Sequence, residues 1–392
     1  MKDALAAAAQ ESYGRIVATL IRVTGDWDLA EDCAQEALAT ALEKWPGEGV
    51  PANPGGWLMT VARNRAIDVL RRATVEQRKL REVLLLSAEA KESEEWDDDR
   101  LRLIFTCCHP ALSLEARVAL TLRTVCGVPT GEIARVFLVA EPTMTRRLTR
   151  AKTKISTANI PYRVPSGPAL SERLPGVLAV IYLLFTRGYT NDGEPAFADE
   201  AIRLARLLRR LMPDQPEAAG LLALCLLQHS RRRARRDAAG HLLTLDQQDR
   251  TLWDHEAIAS GLALLPTAGR GAYATQAHIA AEHTRSPADW PAIAGWYDRL
   301  VALQPTPVVR LNRAVAHGFA YGPARGLDLL AEARAGGALD GYAPATAAEA
   351  ELTARLGDRI RAELLFRTAA DETTSPAERH ALLGRATEME DA

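Results

Sequence analysis

Apolar residues recur every three or four positions along most of this 392-residue chain, and no other feature constrains its fold as strongly. Near the N-terminus one such stripe consists of Tyr13, Ile16, Val17, Leu20 and Ile21. This spacing places the stripe on one face of an α-helix, and that face has to be buried against a neighbouring element. Aromatic residues, which strands favour, make up only 5% of the chain. The sequence therefore predicts an all-α fold.

Charge and cysteine content narrow the class of protein. Lys and Arg total 48 against 50 for Asp and Glu, so the net charge of −2 excludes a uniformly basic nucleic-acid-binding coat but allows a local basic patch. Five cysteines are too few for a disulfide framework and indicate a reducing compartment. The N-terminus lacks a signal-peptide pattern, and the chain has no run of about 18 apolar residues, so we expect a cytoplasmic protein that does not span a membrane.

Proline, glycine and acidic residues divide the chain into domains. The Pro- and Gly-rich segment from Trp45 to Gly56 is expected to interrupt the helices. A run of Glu and Asp residues that ends at Asp99 is expected to be a linker. The sequence predicts a helical domain at 1–73, an acidic linker at 74–100, a second helical domain at 101–160 and a helical extension at 170–392.

The C-terminal part contains an internal repeat. Segment Ala314–Ala333 aligns with Ala350–Ala369 at an offset near 36 residues, with a turn and an Ala-rich second helix at equivalent places. A period in the mid-thirties with two helices per unit is typical of tetratricopeptide (TPR) repeats. A third copy is arguable at Glu217–Leu243, and a plain helical bundle is the alternative interpretation.

The segment Pro129–Ile155 has the pattern of a helix-turn-helix motif. Thr130 is the expected N-cap of a short first helix. A tight connection at 138–140 follows, and Glu141 and Pro142 open a second helix, because proline is tolerated in the first turn. The second helix combines an apolar stripe with a polar, cationic face that consists of Thr143, Thr145, Arg146, Arg147, Arg150 and Lys154.

A cationic helix face of this kind can enter the major groove of DNA, neutralise phosphates and place arginines on guanine edges. The alternative is an ordinary amphipathic helix with a solvated basic face. The short preceding helix and the tight turn favour DNA binding.

A second set of polar residues follows the Pro- and Gly-rich segment on a helix that starts at Trp57. Its members are Trp57, Arg63, Asn64, Arg65, Asp68, Arg71 and Arg72. A basic helix beside such a loop suits a pocket that accepts an unstacked base from melted DNA, with arginines on the phosphates. Trp57 could equally belong to the core.

The helix preceding that loop has an anionic side, formed by Asp26, Asp28, Glu31, Asp32, Glu36 and Glu43. This side would repel DNA and favour a basic protein partner.

Three segments occur in the order and spacing of bacterial RNA polymerase sigma factors of the extracytoplasmic-function type, which the chain resembles. Asp26–Trp45 is similar to the helix that docks on core polymerase, Asn53–Arg72 to the segment that melts and reads the −10 element, and Pro129–Ile155 to the motif that binds the −35 element. Ile181–Thr190 and the helices after it resemble the subgroup with a long TPR-like extension.

The resemblance implies a role for each set of residues. The −35 element would be bound by the cationic face listed above, and the −10 element by the set that starts at Trp57. Core polymerase would be bound through Asp28, Glu31, Asp32, Gln35 and Glu36.

The implied function is that of a polymerase subunit without catalysis of its own, with core RNA polymerase and promoter DNA as partners. The C-terminal helices would regulate it, by gripping the DNA-binding units or by binding a regulatory protein or small ligand. Two alternatives stay open: a helix-turn-helix regulator with a TPR-like sensor domain that needs no polymerase contact, and a TPR scaffold that binds only protein.

Other candidate sites are weak. Cys107, Cys108 and His109 lack the C-x₂-C spacing of zinc modules, so buried thiols are expected and a metal is not. The chain has no phosphate-binding loop, dinucleotide turn or nucleophile elbow, so neither a cofactor nor an enzyme activity is expected. The arginine run at 231–236 is expected on a solvated helix face.

Overall fold

The computed structural model describes residues 2–72, 94–137, 139–189, 195–237, 243–245 and 247–391. In this part of the chain the regular elements are helices and no β-strand is present, which confirms the all-α prediction. The chain divides into two compact units, Met1–Gly188 and Tyr189–Ala392.

The helices of the first unit follow the sequence pattern closely. In chain order they are α1 (Lys2–Thr24), α2 (Trp27–Glu48), α3 (Pro54–Arg72), α4 (Glu94–Cys107), α5 (Leu114–Leu120), α6 (Thr130–Val136), α7 (Glu141–Thr157) and α8 (Pro168–Tyr189), with a π-helical turn at Thr121–Val125. The apolar stripe of α1 is buried, and α1 packs on α2, α3 and α4. This central helix therefore joins the two domains expected at 1–73 and 101–160.

The break expected from Trp45 to Gly56 is shorter than the sequence suggested. Helix α2 continues through Pro46 to Glu48 and ends at Gly49, whose φ of 85° lies in the left-handed region. Pro46 lies in the last turn, where its missing N–H removes only one helical hydrogen bond. Helix α3 already begins at Pro54, and the Asn53 side chain caps it by accepting a hydrogen bond from the Gly56 amide at 2.8 Å.

The acidic linker expected at 74–100 is wrong from Glu94 onward, because α4 begins there. Asp99 is fully buried and accepts hydrogen bonds from Arg22 at 2.9 Å and from Arg102 at 2.6 Å. Two guanidinium groups neutralise this carboxylate, so it can be buried within a helix instead of staying in solvent. The rest of the expected linker lies outside the described residues.

Helix α8 packs within the first unit, and the second compact unit starts after Gly188. By length and composition Pro168–Gly188 is long and apolar enough to cross a membrane, contrary to the expectation that no such run exists. One face of the helix is nevertheless buried in the unit, through Val177, Val180, Ile181, Leu184 and Phe185. Its apolar character is that of a core helix.

The second unit is a succession of helices. They are α9 (Pro195–Leu211), α10 (Pro216–His229), α11 (His255–Leu264), α12 (Ala272–Glu282), α13 (Trp290–Leu303), α14 (Pro307–Tyr321), α15 (Pro323–Arg334), α16 (Ala343–Arg355), α17 (Arg359–Glu372) and α18 (Pro376–Asp391), with 3₁₀ turns at Arg250–Leu252 and Leu265–Thr267. From α13 to α18 each helix packs on the next.

The repeat predicted at 314–369 is confirmed. Pro307 and Ala343 begin the first helices and Pro323 and Arg359 the second, so both helices recur after 36 residues. The equivalent residues Ala314 and Ala350 are both fully buried. Two helices per unit at this period make the second unit TPR-like.

The third copy, suggested at 217–243, is not a helix pair in the described residues. Helix α10 ends at His229, and 230–234 form turns, while 238–242 lie outside the described part. The arginine run is therefore not on a helix face as expected. The Arg231 guanidinium lies 6.0 Å from the centre of the Trp253 ring, and Arg232 pairs with Asp199 at 3.3 Å.

Candidate nucleic-acid interface

Helices α6 and α7 form the predicted helix-turn-helix, joined by a short connection. The expected cap is wrong by one residue: Pro129 is the N-cap of α6, and Thr130 is its first helical residue and makes no capping hydrogen bond. Glu141 and Pro142 open α7 as expected. The buried side of α7 consists of Met144, Leu148, Ala151 and Ile155.

The opposite face of α7 is in solvent. All six residues predicted to bind the −35 element are exposed: Thr143, Thr145, Arg146, Arg147, Arg150 and Lys154. Arg147, Arg150 and Lys154 also line an open groove of about 420 Å³ against the start of α5, where Ser113 caps the helix. These basic side chains can therefore reach phosphates and base edges without rearrangement.

The residues predicted to bind the −10 element differ in their exposure to solvent. Asn64, Asp68 and Arg71 are exposed on α3, whereas Arg63 and Arg65 are half-buried. The Arg65 Nε lies 2.7 Å from the Glu36 carboxylate, a pair that joins α3 to α2. Exposed pairs of this kind are weak, so Arg65 can exchange Glu36 for a phosphate. The Arg72 side chain lies outside the described residues.

Trp57 has a structural role in addition to its predicted one. It is half-buried, and its ring meets the buried Trp45 ring edge-on, with the centroids 5.5 Å apart. The first turn of α3 is thereby fixed against the end of α2.

A small pocket between α1 and the first turn of α3 was not predicted from the sequence. It has a volume of about 130 Å³ and is lined in part by Ser12, Arg15, Asn53 and Gly55. A Cβ on Gly55 would lie 2.9 Å from the Ser12 hydroxyl, so a larger residue there would make the Ser12 side chain move. No periodicity or motif signals this pocket, because it exists only where the two helices meet.

Only part of the anionic side of α2 is exposed to solvent. Asp28, Asp32, Gln35 and Glu36 are exposed, but Glu31 is 5% exposed. The Glu31 carboxylate accepts hydrogen bonds from Arg123 Nε at 3.0 Å and from Lys152 Nζ at 2.8 Å. Glu31, which is predicted to bind core polymerase, is therefore buried and paired with two cations in this structure.

Asp28, Glu31, Arg123 and Lys152 together form what we call the interdomain ion cluster. Lys152 on α7 also lies 2.8 Å from Asp28. Burial alone would lower the pKa of Lys152, but the Glu31 and Asp28 carboxylates outweigh it and raise that pKa. Arg123 and Lys152 were missed in the sequence because their partners lie 92 or more residues away along the chain.

The cysteines expected to be buried are buried. Cys107 and Cys108 lie inside the first unit, and burial raises the pKa of both thiols, that of Cys108 to about 11. Such thiols are poor nucleophiles and poor metal ligands at neutral pH. Among the described residues no three His, Cys, Asp or Glu side chains lie close enough together to hold a metal ion.

Family models match three parts of the chain. Residues 9–75 match sigma-70 region 2, which spans most of α1 to α3, and residues 102–155 match sigma-70 region 4, which contains the helix-turn-helix. Residues 173–269 match a family of unknown function, DUF6596.

Individual proteins also resemble this chain, one of them over nearly its full length. The uncharacterized protein R00370 of Rhizobium meliloti is 41% identical over 96% of this chain and 92% of its own length. The ECF RNA polymerase sigma factor SigL of Mycobacterium tuberculosis is 33% identical over 33% of this chain and 73% of its own length. Among solved structures, yeast Tom70 aligns over 97% of this chain and 82% of its own, with 12% identity and a TM-score of 0.35.

Regions 2 and 4 occur in order around the two candidate DNA-binding helices, and SigL matches this part of the chain over most of its own length. The chain therefore belongs to the extracytoplasmic-function (ECF) sigma factors of the sigma-70 family, as a member with a long helical C-terminal extension.

Proposed function

We propose that this sigma factor directs core RNA polymerase to promoters with defined −35 and −10 elements, in the cytoplasm. The exposed basic face of α7, opposite a fully buried apolar stripe, is the observation that carries the proposal. Arg146, Arg147 and Arg150 contact the −35 element, where arginine can read guanine bidentately.

The downstream element is opened at α3. Asn64, Asp68 and Arg71 are exposed on this helix, whose first turn borders the small pocket beside Gly55. This arrangement suits a strand separated from its partner, because backbone phosphates meet arginine while bases meet the loop.

Core polymerase binds the anionic side of α2. Asp28, Asp32 and Glu36 are exposed carboxylates on one helix, and their charge favours a cationic protein surface over DNA. A helix-turn-helix regulator that acts without polymerase would have no role for this surface. The second unit regulates the process, and a groove of about 600 Å³ beside Arg334 and Leu356 is a place where a regulatory molecule can bind.

The test is run-off transcription with the purified chain, core polymerase and a promoter library randomised at both elements. We expect promoter-dependent transcripts with the wild-type chain and none with the Arg146→Ala, Arg147→Ala, Arg150→Ala triple variant. Arg163→Ala removes an exposed cation from the same unit and serves as the matched control. Promoter binding by the chain alone, without any transcript when core is added, would overturn the proposal in favour of a conventional regulator.

A further inference from the structure

Three short segments of the second unit meet where the arginine run at 231–236 follows α10. The Asp254 amide donates a hydrogen bond to the Ser230 carbonyl at 2.8 Å, which holds the 3₁₀ turn at Arg250–Leu252 close to the start of the run. Arg250 Nη1 donates to the Thr284 carbonyl at 3.0 Å, which joins the same turn to the end of α12. Residues far apart in the sequence are thereby brought together at one place.

Two guanidinium groups at this place lie against a single indole ring. The Arg231 Cζ atom is 6.0 Å from the centre of the Trp253 ring, and the Arg250 Cζ atom is 4.5 Å from it. Trp253 is 4% exposed, whereas both arginines are half-buried and can be reached from solvent. An aromatic face attracts each cation, but two cations beside one ring also repel each other. The ring alone therefore leaves an excess of positive charge.

In the described part of the chain, no carboxylate pairs with either of these two guanidinium groups. The acidic residues nearest to them in sequence have other roles, because Asp249 caps the 3₁₀ turn and Asp254 caps α11. Arg232, the next residue of the run, already pairs with Asp199. The charge of Arg231 and Arg250 is therefore not neutralised by the residues that surround them in the fold.

Buried polar atoms without partners lie at the same place. The indole N–H of Trp253 and the Nδ1 atom of His283 have no hydrogen-bond partner among the described residues. Burial, and after it the Arg231 charge, lowers the pKa of His283 to about 4, so its imidazole is neutral at pH 7 and donates through one nitrogen only. A buried donor without an acceptor is costly, which points to a ligand that supplies acceptors. We call Arg231, Arg250, Trp253 and His283 the arginine–tryptophan site.

We propose that the arginine–tryptophan site binds the phosphate group of a small molecule. A phosphate monoester carries nearly two negative charges at neutral pH and three acceptor oxygens, which match two guanidinium groups and further N–H donors. A carboxylate has one charge and two oxygens and would neutralise only one of the two arginines. The inference goes beyond the function proposed above and does not rest on it. The site shares no residue with the groove beside Arg334 and Leu356.

The half-buried position of the site favours a small ligand over nucleic acid. A duplex presents its phosphates on a wide convex surface, which is met best by fully exposed side chains such as those of α7. Arg231 and Arg250 are half-buried beside a ring that is almost completely covered. A small phosphorylated molecule can enter such a place.

The first test is calorimetric titration of the full chain with inorganic phosphate at constant ionic strength. We expect one saturable site in wild type. Binding should be at least about tenfold weaker in Arg231→Gln and in Arg250→Gln, because each variant loses a charge-assisted hydrogen bond. Arg233→Gln removes an exposed cation of the same run and is the matched control, which should bind like wild type. Absent binding, or equal binding by all four chains, would overturn the proposal.

Circular dichroism shows whether the variants are folded. Arg250→Gln loses the contact with the Thr284 carbonyl, which is a structural role as well. The Arg231 side chain makes no hydrogen bond in the residues that the structure describes, so Arg231→Gln gives an independent measurement if Arg250→Gln does not fold.

The second test follows the Trp253 indole N–H by NMR in a full chain labelled with ¹⁵N at its seven tryptophans. Trp253→Phe identifies the signal. This signal should move when phosphate is added, since the N–H gains an acceptor or a negative charge beside it, and the other indole signals should stay. A Trp253 signal that stays in place while phosphate binds would locate the anion elsewhere and overturn the proposal.

Two further titrations test the class and the source of the ligand. Acetate should bind more weakly than phosphate, and equal affinity would contradict the assignment to phosphate. Affinity for a duplex of mixed sequence should be the same in Arg231→Gln, Arg250→Gln and Arg233→Gln. A loss confined to the first two would mean that the phosphates belong to nucleic acid and not to a small molecule. All these measurements omit core polymerase, so their failure would leave the proposed sigma-factor function standing.

Discussion

At the residue scale, the charged side chains of the first unit differ in their burial and in whether they are paired. Arg147 is exposed, Arg65 is paired with Glu36 near the surface, and Glu31 is buried with two cations. A surface pair contributes at most about 1 kcal/mol, whereas stripping one partner from a buried pair costs several times more. Arg147 and Arg65 are therefore available to DNA at little cost, but Glu31 is released only when a replacement cation arrives.

Replacing Arg147 tests the upstream contact. Arg147→Ala should weaken binding to the −35 element by about 1–3 kcal/mol if the guanidinium reads a base. Fluorescence anisotropy with a labelled duplex measures the change, and Arg163→Ala gives the reference for loss of an exposed charge. An unchanged affinity would remove Arg147 from the recognition surface.

His283 makes the second unit sensitive to acid. Burial lowers the pKa of His283 to about 4, and Arg231 adds to the effect. The unfolded chain binds this proton near pH 6.5, so the folded unit loses up to about 3 kcal/mol as the pH falls from about 6.5 to about 4. Below that range the loss is complete.

Chemical denaturation of wild type and His283→Gln at several pH values measures this contribution. The variant should lack this part of the pH dependence, and His255→Gln, at an exposed position, should keep it. Equal pH dependence in all three chains would contradict the assignment.

At the scale of helices, periodicity predicted most of what the structure contains. The buried stripes of α1 and α7 and the 36-residue repeat follow directly from apolar spacing, because a helix face repeats locally along the chain. The continuation of α2 to Glu48 and the helical conformation around Asp99 were not predicted, and the burial of Asp99 depends on Arg22, which lies far away in sequence. The ion cluster and the Gly55 pocket depend on residues distant in sequence, which no local pattern reports.

The crossing of α14 and α15 depends on glycine. A Cβ on Gly326 would lie 2.7 Å from the Gly318 Cα and 3.0 Å from the Ala314 carbonyl oxygen, and backbone cannot move aside cheaply. Gly326→Ala should therefore destabilise the second unit by about 1–3 kcal/mol in chemical denaturation. Gly295→Ala on α13 meets nothing within 4 Å and should be neutral or stabilise by up to about 1 kcal/mol. A stable Gly326→Ala chain would mean that the helices are less closely packed.

At the scale of the whole molecule, the charges are separated by sign although the net charge is only −2. Basic residues cover the exposed face of α7 and acidic residues the exposed side of α2. Such a charge distribution attracts DNA to the basic face of α7 and not to the protein surface as a whole. Only a few phosphates should therefore be neutralised when the chain binds duplex DNA, and these set how strongly its affinity depends on salt concentration.

The salt dependence of DNA binding tests that separation. The basic residues of the α7 face are Arg146, Arg147, Arg150 and Lys154, and each phosphate neutralised contributes about −0.9 to the slope of log K against log salt. We expect a slope of about −3 to −4 for the −35 duplex, reduced in magnitude by about 0.9 in Arg150→Ala. Titrations at several salt concentrations measure it, and a much steeper slope would indicate a wider basic surface than α7 provides.

The recurrence of the α14–α15 pair as α16–α17 has a consequence for how the length of the second unit can change. Because both helices of a pair return after 36 residues, duplicating that stretch of the gene would add a further pair whose buried alanines meet the same neighbours as before. Growth by whole modules would leave the promoter-binding half untouched. Relatives with longer or shorter C-terminal halves can therefore arise without any new core having to be invented.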